Sequence, residues 1–185
     1  MNGLILIGGK SSRMGTDKSM LYYHGISQRA YLYDLLKKFC AEVYFSCRKE
    51  QLTSEPCIVD YLAISPISGI LSAFEFDSQT AWLVIACDMP LVNAENLQVL
   101  VENRNTEKIA TAYVNPATNA PEPLITIYEP DAYGLLKAFV ELGNKSPKVF
   151  LQCHAIELIK AENTDFLTNV NTREDLDNFK LTIKA

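Results

Sequence analysis

Eleven consecutive residues near the amino terminus, Gly8-Gly9-Lys10-Ser11-Ser12-Arg13-Met14-Gly15-Thr16-Asp17-Lys18, combine three glycines with three cations. Glycines let a backbone wrap an anion so that successive N–H groups point at it. Lys10, Arg13 and Lys18 add charge-assisted donors. This is phosphate-binding chemistry, although an ordinary surface loop with solvated cations has the same composition. Spacing excludes two common phosphate loops. A Walker A loop ending at Gly9-Lys10-Ser11 needs its first glycine where Leu4 stands. A dinucleotide loop opening at Gly8 needs its second glycine where Lys10 stands. A second candidate is Asp88, a carboxylate directly after the apolar run Ala81 to Cys87. Such a group can ligate a hard divalent cation, or simply cap the next turn.

These groups need a scaffold, and the chain supplies one. Its 185 residues are 48% hydrophobic and 21% charged, which fits one globular domain spanning 1–185 and excludes a disordered chain. The longest apolar runs, Leu4 to Ile7 and Ala81 to Cys87, have strand length and fall far short of the roughly 18 residues of a membrane span. No membrane role is expected. Asn2-Gly3 leads straight into Leu4 with no basic stretch or cleavage pattern, so a cytoplasmic location is expected. Five cysteines, at 40, 47, 57, 87 and 153, form no C-x-x-C pair and read as reduced packing residues, as does Tyr128. The net charge of −5 excludes a general nucleic-acid binder, so positive charge for a phosphate compound must be local.

The pattern alternates strands and helices. Strands are expected at Leu4–Ile7, Val43–Ser46, Cys57–Val59, Thr80–Cys87, Ile109–Val114, Leu124–Tyr128 and Ala155–Ile159. Helical spacing predicts a helix over Arg29–Ala41 and another over Ile67–Phe76. A third runs from an Asn93 cap through Glu102, and a fourth starts at Pro130 with Leu135, Leu136, Phe139 and Leu142 as its stripe. A last helix opens at Thr172, with Leu176 and Phe179 inward. The alternation implies an open, Rossmann-like, mostly parallel α/β sheet flanked by helices, with antiparallel additions late in the chain. Ligands in such sheets sit beyond the carboxyl ends of strands, which points to the residues after Ile7, Val59 and Cys87.

The glycine loop resembles the signature of nucleotidyltransferases with a glycosyltransferase-A-like fold, a Leu-x-Gly-Gly opening and then Ser-x-Arg-Met-Gly-x-Asp-Lys. Within that group the chain is most similar to the molybdenum cofactor guanylyltransferase family. Further matches are Asp60, Ser65-Pro66-Ile67-Ser68-Gly69, Cys87-Asp88-Met89-Pro90 and Asn169-Val170-Asn171-Thr172 followed by Glu174-Asp175-Leu176, with Glu122-Pro123-Leu124 weaker. Departures fall at Ile7, Ser46, Ser65 and Ser68, where that family carries other residues.

The resemblance implies Mg²⁺-dependent transfer of GMP from GTP to the phosphate of molybdopterin, with release of pyrophosphate. Two anions must meet, so the protein neutralises charge and aligns the attack. A phosphate dianion is already nucleophilic and needs no general base, so His24 and His154, outside every landmark, are expected to take no part. Asp88 would ligate the metal, and Arg13 and Lys18 would hold the triphosphate and the charge developing on pyrophosphate. Leu6, Ile7, Gly8 and Gly9 would meet the nucleotide through backbone. Pro66 to Gly69 would wall the base, with Ser46 and Asp60 near base and ribose. Asn169 and Asn171 would face the acceptor, although Asn171 is also a plausible cap for the last helix. The expected state is a monomer or weak homo-oligomer in transient contact with cofactor-handling proteins. Two alternatives stay open: a related cytidylyl- or sugar-phosphate nucleotidyltransferase, and a non-catalytic nucleotide-binding derivative.

Overall fold

The computed structural model describes residues 1–7, 18–52, 54–161, 163–170 and 175, with Lys18 in its backbone alone. Gly8 to Asp17 and Asn171 to Glu174 therefore lie outside the described residues, as does the expected last helix except for Asp175.

Seven strands form one sheet: β1 (Asn2–Leu6), β2 (Val43–Cys47), β3 (Cys57–Val59), β4 (Trp82–Ala86), β5 (Ala110–Asn115), β6 (Ala120–Tyr128) and β7 (Glu157–Ile159). Their order is β3-β2-β1-β4-β6-β5-β7. The first four run parallel, and β7 runs parallel to β5. β6 is antiparallel to both of its neighbours, which makes the sheet mixed. The expected architecture is therefore present, antiparallel addition included. β1 and β4 are buried along their whole length, because helices cover both faces of the sheet.

The helices are α1 (Gln28–Leu36), α2 (Pro66–Phe76), α3 (Ala94–Glu102), α4 (Ala132–Glu141) and α5 (Pro147–Gln152). Side chains alternate across β1, so Ile5 and Ile7 join one core with Leu32, Phe45, Met89 and Leu97, while Leu4 and Leu6 join the other with Ile70, Phe74, Trp82 and Phe150. Ser27 caps α1 by accepting from Ala30 N–H at 3.4 Å, and Asn93 caps α3 by accepting from Asn96 N–H at 3.0 Å.

Several local expectations need correction. α1 stops at Leu36, not Ala41: Ala41 N–H donates to Met1 O at 3.1 Å and Gly3 N–H to Glu42 O at 2.8 Å, which draws the chain into line with β1. α4 begins at Ala132, with Pro130 in the turn before it. Of the expected stripe Leu136 is buried and Phe139 packs against the core, but Leu135 and Leu142 are exposed, and Ala132 joins the buried face. β6 starts at Ala120 and runs through two prolines, beside a register shift in β5 between Ala112 and Val114. α5 was not expected, though Ser146-Pro147 is a cap followed by a first-turn proline. Cys40, Cys47 and Cys87 are buried as packing residues, but Cys153 lies on the surface.

Candidate active site at the carboxyl ends of the strands

The carboxyl ends of β1 to β4 converge on one edge. Ile7 N–H donates to Ser46 O at 3.2 Å, Cys87 N–H to Leu6 O at 3.2 Å, and Asp60 N–H to Cys47 O at 2.8 Å. Leu6, Ile7 and Ser46 are buried there. The ladder holds Leu6 and Ile7 at the point where the chain enters the glycine loop.

α2 lies down on this edge because of Gly69. A Cβ on Gly69 would stand 2.5 Å from Ser46 Oγ and 3.1 Å from Leu6 Cδ2, so a side chain there would force Ser46 or the helix to shift. Its first turn is closed from within. Ser68 Oγ accepts from Ser65 N–H at 3.4 Å and reaches Ser65 O at 2.7 Å. It also donates to Asp60 Oδ2 at 2.6 Å, while Asp60 Oδ1 accepts from Ala63 N–H at 2.8 Å. Ala63 has φ +47°, the left-handed conformation of a tight turn. Asp60 therefore braces the turn that leads into α2, and both of its oxygens face protein donors. Ser68 is buried and engaged, and Ser65 Oγ donates to Lys145 O at 2.8 Å.

Asp88 follows β4 in a turn held by distant parts of the chain. Its carbonyl accepts from Val170 N–H at 2.8 Å, which lays the Asn169-Val170 segment against the end of the central strand. Asn169, one residue before that bond, has its Oδ1 buried, and this oxygen accepts no hydrogen bond among the described residues. Tyr23 also faces this point: its phenol is pushed up to about 12, by burial first and then by Cys87 and Asp88. Burial pushes the Glu122 carboxyl up, Asp88 adds to that rise, and Asn115 and Lys148 oppose it. Among the described residues no group of three or more His, Cys, Asp or Glu side chains is arranged to hold a metal ion. Asp88 and the buried Asn169 oxygen are hard donors, and a few such ligands suit a cation that shares its shell with phosphates and water.

Sequence reasoning missed how much of this edge lies between landmarks. His24, outside every sequence landmark, has its Nε2 2.8 Å from Pro90 O, and its ring stacks on Tyr31 with centroids 3.8 Å apart. Gln28, Tyr23 and Glu122 also converge here, and only Glu122, set between two prolines, carried a sequence signal. The side chains of Arg13, Lys18 and Asn171, with Gly8 and Gly9, lie outside the described residues. A cavity of about 490 Å³ opens at the opposite edge, near Met1, Thr80 and the Arg104–Glu129 ion pair. No expected site residue lines it, and the chemistry of the chain favours the carboxyl edge.

The sequence pattern of the MobA-like NTP transferase domain matches residues 3–158. A molybdenum cofactor biosynthesis bifunctional protein from Synechocystis sp. is 37% identical over 179 residues; the match covers 94% of this chain and 52% of that protein. The chain thus spans about half the length of that relative. A probable molybdenum cofactor guanylyltransferase from Methanocaldococcus jannaschii is 30% identical, with 94% of this chain and 95% of that protein covered. Among solved structures, molybdopterin-guanine dinucleotide biosynthesis protein A from Archaeoglobus fulgidus superposes with a TM-score of 0.81 at 23% identity over 100% of both chains. The 2-C-methyl-D-erythritol 4-phosphate cytidylyltransferase from Thermus thermophilus superposes with a TM-score of 0.74 at 11% identity over 98% of both. At these identities the structures speak for the fold alone.

Proposed function

The chain belongs to the MobA-like NTP transferase family, and from that premise we propose that it transfers GMP from GTP to the phosphate of molybdopterin in a Mg²⁺-dependent reaction. The observation that carries the reading is the 2.8 Å bond from Val170 N–H to Asp88 O, which seats the proposed acceptor segment on the proposed metal-side loop. On this reading the acceptor segment and the metal-side loop meet at that bond.

An oxygen of the acceptor phosphate attacks the α-phosphorus of GTP. The new P–O bond forms as the α–β bridging P–O bond breaks, and the bridging electron pair leaves with pyrophosphate. Arg13 and Lys18 neutralise the triphosphate and the charge that develops on the leaving group. Gly8 and Gly9 continue from the Leu6–Ile7 ladder and offer backbone N–H groups. Pro66 and Gly69 set the wall on the base side, with Ser46 beneath Gly69 and Asp60 fixing the turn that carries the wall. Asn169 and Asn171 orient the acceptor. Asp88 and Asn169 would hold Mg²⁺, which when bound offsets phosphate charge and orients the oxygens. Five free thiols fit a reducing cytoplasm.

The test is pyrophosphate release from GTP, CTP, ATP and UTP with molybdopterin and Mg²⁺, paired with calorimetric titration of each nucleotide. GTP should be preferred in both. CTP binding at least as tightly as GTP would overturn the guanylyl assignment and favour a cytidylyl enzyme.

A further inference from the structure

We propose that Gln28, in the first turn of α1, is a positioning residue for Asp88: its buried amide holds the Met89 carbonyl and so sets the direction in which the Asp88 side chain leaves the end of β4. The proposal rests on the reading of Asp88 as the metal-side carboxylate.

The turn after β4 needs outside support. Pro90 has no N–H to give, and carbonyls beyond the end of a strand have no ladder partner. Four of them are met by remote groups. Asp88 O accepts from Val170 N–H at 2.8 Å, and Met89 O from Gln28 Nε2 at 3.4 Å beside a local bond from Val92 N–H at 3.4 Å. Pro90 O accepts from His24 Nε2 at 2.8 Å, and Val92 O from Tyr31 OH at 2.9 Å. Three of the four donors come from residues 24–31. Gly25, at φ +78°, makes the bend that presents His24, and a bridge between Tyr22 and Ser27 closes that bend.

Gln28 is the member with no exposed surface. Its backbone N–H donates to Leu21 O at 2.8 Å, which fixes it over the turn. Its Oε1 is buried with no hydrogen-bond partner among the described residues. A buried acceptor left unsatisfied costs stability, so the amide is a poor choice for packing alone. Its use is the bond to Met89 O, one residue from Asp88. The same segment follows directly on the turn at Lys18–Met20, so the end of the glycine loop and the Asp88 turn share one brace.

The test compares the wild type with Gln28→Met, which keeps the volume and removes both amide atoms. Hydrogen exchange of residues 87–93 is followed in the ligand-free protein, and kcat and KM for GTP are measured with Mg²⁺ and molybdopterin. Exchange at 87–93 should quicken while the rest of the sheet is unchanged, and the melting temperature should not fall. The kcat should drop about tenfold with KM for GTP little changed, short of the ~10²-fold that a 1 Å misplacement can produce. Tyr31→Phe, which removes only the hydroxyl on Val92 O, should give the same pattern more weakly. Unchanged exchange at 87–93, or exchange raised evenly through the chain as in general destabilisation, overturns the proposal. An Asp88→Ala enzyme with wild-type turnover would instead show that the reading of Asp88 is wrong, and the exchange would still decide whether Gln28 holds the turn.

Discussion

Gly69 and Ser46 meet where α2 rests on the ends of β1 and β2, so closely that a Cβ on Gly69 would stand 2.5 Å from Ser46 Oγ. The contact sets the height of the first turn of α2, the proposed base-side wall, above the sheet. Gly69→Ala should therefore destabilise the fold by about 1–3 kcal/mol, as overpacking does. Ser46→Ala in the same chain removes the clashing oxygen, leaving Leu6 Cδ2 at 3.1 Å, and should recover part of the loss. Chemical denaturation of the two single variants and the double variant measures the coupling.

Asp88→Ala should reduce Mg²⁺-dependent turnover by about 10²-fold or more, because the proposed metal-side carboxylate is lost. The fold should survive, since the β4 ladder and the Val170 bond to the Asp88 carbonyl use backbone. Initial rates across a Mg²⁺ titration, with circular dichroism as the control, check this. Wild-type rates at saturating Mg²⁺ would remove Asp88 from the chemistry.

Glu122 carries a pH signature. Burial raises its pKa in the folded chain above the value in the unfolded chain. The folded state then holds this proton more tightly, so the stabilising contribution is complete below the ordinary carboxylate range and is lost as pH rises through the folded pKa. Glu122→Gln should remove that loss and make the melting temperature less dependent on pH above the ordinary carboxylate range. Melting curves of both proteins from acid to neutral pH decide it; parallel curves would contradict the assignment.

The opposite edge gives the contrasting case. Arg104 Nε and Nη2 donate to the two oxygens of the nearly inaccessible Glu129 at 2.7 Å each. Glu129→Gln should lower stability by about 1–3 kcal/mol, the range for hydrogen bonds to charged groups, because the Arg104 side chain is 28% exposed and partly screened. Turnover per folded molecule should stay at the wild-type rate. A fall in kcat without a fall in stability would bring the cavity at that edge into the function.

The expected strands and helices that the structure reproduces are those written in local patterns. β4 is an unbroken apolar run, β3 matches its expected bounds, and α3 runs from the Asn93 cap to Glu102 as its sequence signals imply. Where a distant partner competes, local pattern fails. Past Leu36 the chain leaves the helix and Ala41 N–H bonds Met1 O, and Leu135 and Leu142 of α4 lie exposed among the described residues.

By itself the sequence determined the alternation of elements, the family and the residue types of the proposed chemistry, because glycine spacing, apolar runs and short motifs act within a few residues. Only the tertiary structure decided what those residues touch. Asp60 is engaged by Ser68 and Ala63, His24 and Gln28 reach the carbonyls of Pro90 and Met89, and Val170 binds the Asp88 carbonyl. The bonds onto the Asp88 turn close separations of 61 residues for Gln28 and 66 for His24. No periodicity encodes such pairs; they form because packing of α1 and the sheet leaves the carbonyls after β4 without ladder partners, and buried polar groups must be met by whatever the fold brings near.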